Sequence, residues 1–360
     1  MAEIIHGLRY YFTNGVPMLS KFRLLQPTLF ILALALASVA ILTAFSRAGV
    51  KRTESAHPPL GDFLEVDGIR LHYLSRGEGP ALVLVHGASS TLREFTSILP
   101  SLSRSHRVIA FDRPGFGYSA RPPGPWMDPA KQARLLHHAL EKLGIVHPIL
   151  VGHSWSGSVV LSYMLDHSND LAGAVLIAGV THPWEGGVHW LYHVAGTPVV
   201  GSLVAHTVLY PLGRAVLNQI ATRVFSPSPI MPGHITRTGA VLALRPETFL
   251  NNAEDVKSLS DYLRTIRPRY RRIRLPLLLI SGDSDRVVPP EHHALKLINE
   301  VSNADLTVFA NAGHAVHHTH CEAVAQVIRG FAGKVYAADR VKLTVTSEER
   351  GKRRNGDPRG

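Results

Sequence analysis

The stretch Ile149-Leu150-Val151-Gly152-His153-Ser154-Trp155-Ser156-Gly157-Ser158-Val159-Val160-Leu161-Ser162-Tyr163-Met164-Leu165 decides how the rest of the chain is read. It joins a short apolar run to a helical pattern through six residues, GHSWSG, at 152–157. A short apolar run bounded by turn residues reads as a buried strand, and the run after it is long enough for a helix. A strand that turns this sharply into a helix leaves the residue at the turn strained and exposed at the sheet's carboxyl edge. Here that residue is Ser154. Gly152 and Ser156, two positions either side, are small enough to let strand and helix approach. The helix N-terminus and the backbone N–H of Trp155 favour negative charge beside the hydroxyl. The usual pattern has glycine where Ser156 stands, and serine keeps that position small. Alone, the pentapeptide marks a candidate nucleophile and no more.

Working outward, FLEVDGIRLHYL (63–74) holds two strand-like pieces around Asp67-Gly68, a hairpin signal. ALVLV (81–85), RVIAF (107–111), PILVG (148–152), LAGAVLIAG (171–179), LPLLLISG (275–282) and DLTVFA (305–310) read as further strands, with a helical pattern at 129–143. Near-continuous apolar strands separated by helices predict an α/β fold, a mostly parallel sheet covered on both faces. Residues 181–273 carry no convincing strand. Their helical stretches, broken by Gly and Pro, are too long for an unstructured loop and read as an inserted helical lid. The core is then 61–180 together with 274–336.

A serine hydroxyl is a poor nucleophile at neutral pH and needs a base, which needs an orienting acid. Gly282-Asp283-Ser284-Asp285 follows one predicted strand and Gly313-His314 follows the next. The chain order is Ser, Asp, His, and all sit after strands, so they gather at one sheet edge. Asp283 and Asp285 both qualify as the acid. His86-Gly87-Ala88-Ser89 follows ALVLV. Gly87 permits an unusual turn, which makes the N–H of Ala88 the expected oxyanion donor beside that of Trp155. His86 is expected to brace that turn.

Five motifs carry a resemblance: HGAS (86–89), DRPGFGYS (112–119), GHSWSG (152–157), GDSDRVVP (282–289) and AGHAVHH (312–318). From about Leu60 to Val335 the chain resembles the α/β-hydrolase superfamily, in its lid-bearing branch of serine esterases, lipases and C–C hydrolases. The resemblance implies Ser154 as nucleophile, His314 as base, Asp285 rather than Asp283 as acid, Ala88 and Trp155 as oxyanion hole, and no cofactor. Asp112 and Arg113 are expected in structural pairs. Relatives with an aspartate nucleophile, the haloalkane dehalogenases and epoxide hydrolases, are disfavoured by Ser154. The expected activity is cleavage of an ester or similar acyl bond in a small apolar substrate. C–C hydrolysis, acyl transfer or haloperoxidase-like chemistry with the same residues, or a non-catalytic binding protein of the same fold, are the alternatives.

Composition bounds the rest. The chain has 360 residues, 45% hydrophobic and 18% charged, which excludes a wholly disordered protein. Its single cysteine, Cys321, excludes a disulfide-stapled fold and a Cys-rich zinc module. Lys and Arg number 38 against 27 Asp and Glu, a net charge of +11. No nucleic-acid motif accompanies that charge, so solvated surface and attraction to anionic lipid are expected, and no nucleic-acid partner. His314, His317, His318 and His320 stand close together, but a metal on His314 would abolish its role as base, and no metal is expected. His137-His138 and His292-His293 are expected at the surface. Oligomeric state is left open.

Residues 24–46 carry no charge and, as a helix at about 1.5 Å per residue, are long enough for a hydrocarbon core. A single-pass membrane anchor is expected, in a bacterial inner membrane, with a cleaved signal peptide and a buried core helix as alternatives. Positive charge on the two flanks is nearly balanced, so the anchor is not oriented by it. Residues 1–23 are an N-terminal segment, 1–17 of it a mis-called start if the chain begins at Met18. Residues 47–60 read as a polar linker, and 337–360 as a disordered basic tail.

Overall fold

Eight strands form one sheet. They are β1 (Asp62–Val66), β2 (Ile69–Arg76), β3 (Ala81–Val85), β4 (Arg107–Phe111), β5 (Ile149–His153), β6 (Gly173–Ile177), β7 (Leu277–Gly282) and β8 (Ala304–Phe309). The computed structural model describes residues 18–122, 124, 126 and 128–355. The strand order is β1-β2-β4-β3-β5-β6-β7-β8. The β1/β2 and β2/β4 pairs are antiparallel and the rest parallel.

Alternation along the buried strands feeds two cores. Val83, Val85, Leu150 and Leu279 face one side; Leu82, Leu84, Val151 and Ile280 face the other. The first side is covered by α2 (Pro129–Lys142) and α3 (Gly157–Asp166), through Leu136, Leu140, Val160 and Tyr163. The second is covered by α11 (Cys321–Asn355), through Val324, Ile328 and Phe331, and by Phe95 and Leu102. Burial on both faces explains why these strands read as unbroken apolar runs.

Between β6 and β7 lie five helices: α4 (Trp190–Ala195), α5 (Pro198–Thr207), α6 (Leu209–Phe225), α7 (His234–Thr238) and α8 (Pro246–Ile266). They occupy the stretch read as a lid. The short helices α9 (Ala294–Glu300) and α10 (Val316–Thr319) flank β8.

Two terminal readings need correction. Helix α1 runs from Met18 to Ala56, past the expected end at 46 and through most of the supposed linker. Its last turns are polar on one side only. Val50 packs with Tyr210, Val241 and Leu244, and the buried Thr53 and Tyr210 hydroxyls share a 2.9 Å hydrogen bond. Likewise α11 continues to Asn355, into the stretch read as disordered. Residues 337–355 are rich in Glu, Lys and Arg and hold no proline to stop the helix. Residues 1–17 and 356–360 lie outside the described residues. Pro27–Ala56 is long and apolar enough to cross a membrane, and its outer residues from Leu29 to Phe45 stand exposed.

Candidate active site

The turn after β5 holds Ser154 at φ 52°, a left-handed conformation that a serine adopts only under constraint. Close approach supplies the constraint. A Cβ on Gly152 would lie 2.7 Å from Val160 Cγ2 and 2.8 Å from the Ser156 carbonyl oxygen. Ser156, where the pattern has glycine, donates its hydroxyl to the His86 carbonyl at 2.5 Å. The departure thus ties the Ser154 turn to the neighbouring β3 turn.

His314, in the loop after β8, places Nε2 2.9 Å from Ser154 Oγ and Nδ1 2.8 Å from Asp285 Oδ2. The second Asp285 oxygen accepts the N–H groups of Val287 and Val288 at 2.8 and 2.9 Å. Burial alone would raise this carboxyl's pKa. The charge and hydrogen bond of His314 and the two amides outweigh burial and hold it below the usual range. Asp283 is exposed and accepts the Ser284 hydroxyl. The structure therefore brings Asp285, not Asp283, to the imidazole.

The β3 turn sits directly over the serine: a Cβ on Gly87 would lie 2.9 Å from Ser154 Cβ and 3.1 Å from His153 Nδ1. Among the described residues, no hydrogen-bond partner occupies the N–H of Ala88 or Trp155. This constellation occurs in the stretch where a family model applies: the model of the alpha/beta hydrolase family matches residues 82–327.

The chain belongs to the alpha/beta hydrolase family.

Among curated relatives of this hydrolase is the 2-hydroxymuconate semialdehyde hydrolase of Pseudomonas putida, 28% identical over 289 residues, 78% of this chain and 96% of that enzyme. A solved thermophilic esterase from Thermogutta terrifontis aligns with a TM-score of 0.64 at 22% identity, covering 76% of this chain and 99% of its own. A bacterial membrane phospholipase A aligns with a TM-score of 0.61 at 21% identity, covering 87% of this chain and 99% of its own.

Around Ser154, His314 and Asp285 the structure is braced rather than open. His86 donates Nδ1–H to the Gly87 carbonyl at 2.8 Å and accepts the Arg113 N–H on Nε2 at 3.0 Å. Burial, with Arg113 close by, pushes its pKa down to about 4. Asp112 accepts the N–H groups of Leu92 and Tyr118 and pairs with His72 at 2.6 Å. Arg113 pairs with Asp255 of α8 at 2.7 Å and lies between the rings of Phe116 and Trp155. From α8, Asn252 accepts the Ser89 N–H at 2.7 Å, and the Asp255 carbonyl accepts the Trp155 indole N–H at 3.0 Å. The lid is thereby fastened to both expected oxyanion segments.

Sequence reasoning missed Asn252, Glu94 and the partnership of His153. Each pairs across a long sequence separation, and no local spacing announces such a pair. The exposure expected of His293 is also corrected. It is buried, and its Nδ1 accepts the N–H groups of Thr181 and His182 at 3.2 Å each. Among the described residues, two groups could offer a metal three ligand atoms: Glu94, His153 and His317, and His137, His167 and Asp170. The second is partly exposed, and His137 there stacks on His167.

Proposed function

We propose that this chain is a membrane-anchored serine hydrolase that cleaves a carboxylic ester or similar acyl bond through an acyl-enzyme. The observation that carries the reading is the unbroken relay from Ser154 through His314 to Asp285, at 2.9 and 2.8 Å. His314 takes the hydroxyl proton as Ser154 attacks the carbonyl carbon. Asp285 fixes the imidazole with its Nδ1 proton toward the carboxylate and stabilises the imidazolium. The N–H groups of Ala88 and Trp155 receive the oxyanion. Protonation by His314 expels the leaving group, and water, activated by the same imidazole, releases the acid.

An apolar acyl chain suits the surroundings. Leu212, Val216 and Ile220 stand exposed in one row on α6, with Val199 and Leu203 exposed on α5. Both helices contact α1, so the row lies beside the foot of the apolar helix. The structural likeness to a bacterial membrane phospholipase A, over 87% of this chain, is in keeping with the same assignment.

C–C bond hydrolysis is the second reading, favoured by relatives named for 2-hydroxymuconate semialdehyde and for 2-hydroxy-6-oxo-dienoates. Such acids call for a cation in the pocket, and Arg113 is committed to Asp255 and Gln132.

The test uses full-length protein in detergent with p-nitrophenyl esters of increasing chain length, beside Ser154→Ala and His314→Ala. Activity and fluorophosphonate labelling should both depend on Ser154. Turnover that survives both substitutions overturns the mechanism. A kcat/KM on a dienoate above that on every ester moves the assignment to C–C cleavage.

A further inference from the structure

Behind the triad a second acid–imidazole group lies buried, and the mechanism above does not use it. Glu94, in the 3-10 turn Leu92–Ser97, is 6% exposed, His153 is 5% and His317 is 0%. Glu94 Oε2 accepts the N–H of Gly87 at 3.0 Å. Its other oxygen is in direct contact with His153 Nδ1 and lies 3.6 Å from His317 Nε2. On the far side of the ring, His153 Nε2 lies 3.4 Å from the His314 carbonyl. A carbonyl only accepts, so a proton on Nε2 suits it, and Nδ1 meets the carboxylate as an ion-pair contact rather than in hydrogen-bond geometry, which a positive ring also suits. Both contacts favour an imidazolium beside the Glu94 carboxylate.

These contacts join three separate turns. Gly87 belongs to the turn that presents Ala88, His153 immediately precedes Ser154, and the His314 carbonyl belongs to the base itself. We infer that Glu94 is a positioning residue: its buried carboxylate, paired with doubly protonated His153, holds the oxyanion turn, the nucleophile turn and the base loop in register. The inference rests on the serine-hydrolase reading of the same site. Charge balance fits. Burial alone would raise the Glu94 pKa and lower that of His153, but their mutual attraction prevails, keeping Glu94 well below the carboxylate range and His153 above the usual histidine value. The remaining titratable neighbours are His86, Arg113, His314, Asp285 and the neutral pair His317 and His318, both pushed down by burial. A metal ion is the competing use of Glu94, His153 and His317, whose ligand atoms lie within 4.8 Å of one another. The direct contact of carboxylate and imidazole leaves no gap for an ion between them.

The test compares wild type, Glu94→Gln, Glu94→Asp, His153→Gln and Ser154→Ala on one ester. Gln at 94 keeps an acceptor for Gly87 but loses the charge. Its kcat should fall about 10- to 100-fold, because small misplacements of reacting groups cost that much, while KM stays within about twofold. Asp at 94 should restore part of kcat, and His153→Gln should match Glu94→Gln. In wild type at pH 7, nitrogen NMR shifts of His153 should report both ring nitrogens protonated. A neutral His153 overturns the inference whether or not the variants fold. So does wild-type kcat in folded Glu94→Gln, or a stoichiometric divalent ion whose removal abolishes activity. Ser154→Ala separates the failures: activity there sinks the serine mechanism, whereas an inactive Ser154→Ala beside a fully active Glu94→Gln sinks only the role of Glu94.

Discussion

Ser154 and Gly87 are packed so closely that one methyl group is a probe of the site. Gly87→Ala would place its Cβ 2.9 Å from Ser154 Cβ, with backbone-held atoms that cannot swing away. We expect a loss of about 1–3 kcal/mol in stability, as for other overpacked sites, and a lower kcat with little change in KM. Thermal melts and ester kinetics check both; unchanged values would mean the turn yields. Asp285→Asn should lower kcat by about 10⁴-fold, because the amide favours the wrong imidazole tautomer. Steady-state kinetics at pH 7 measure it, and a drop under tenfold would place the orienting acid elsewhere. At this scale strand ends and chain order pointed to Ser154 and His314 and to a choice between Asp283 and Asp285, which only the family resemblance narrowed to Asp285. Glu94 was not. Its setting, TLREFTS, resembles an ordinary exposed turn, and its partners lie at 87, 153 and 317.

Among elements, the strands were legible and the helix ends were not. Each parallel strand is buried on both faces, so apolarity alone marks it. The end of α1 is different, because its burial is one-sided. Arg47, Lys51 and Arg52 are exposed and give a linker's composition, while Ser46, Val50 and Thr53 fall on the inner side. That side docks on the lid, and the docking can be weakened without a cavity. Tyr210→Phe removes the buried hydroxyl that meets Thr53 at 2.9 Å. The expected cost is about 1–2 kcal/mol, since Thr53 is left with a buried unpaired hydroxyl. A melting temperature equal to wild type would show that water replaces the tyrosine there.

For the whole molecule, buried neutral histidines set the acid limit. Burial, with cationic neighbours adding to it, lowers His86 and His293 to about 4 and His318 to about 3. The unfolded chain takes up protons near pH 6.5 where the folded chain does not, so stability rises with pH across roughly 4 to 6.5. Asp285 and Glu94, held below their usual values, act in the same direction: their contribution is present above the unfolded carboxylate range and lost as pH falls. His153, raised, opposes them and loses its contribution as pH climbs through its folded value. The melting temperature should therefore climb between pH 4.5 and 7, and a flat profile would contradict the burial of these rings. The proposed membrane attachment has its own test: retention in the pellet would overturn the span. Leu34→Lys with Leu36→Lys places two charges in the apolar half of α1, at roughly 3 kcal/mol each in a span's centre. The protein should then leave the membrane pellet for the soluble fraction.

Helix α1 has no hinge between its apolar half and the turns that grip Tyr210. From Pro27 to Ala56 it is a rod of about 45 Å, and one degree of tilt moves its far end by roughly 0.8 Å. That end is fastened to Tyr210, Val241 and Leu244, in the helical stretch between β6 and β7. On the proposed anchoring, a thinner or thicker bilayer would change the rod's inclination and so load the helices between β6 and β7 that its far end grips.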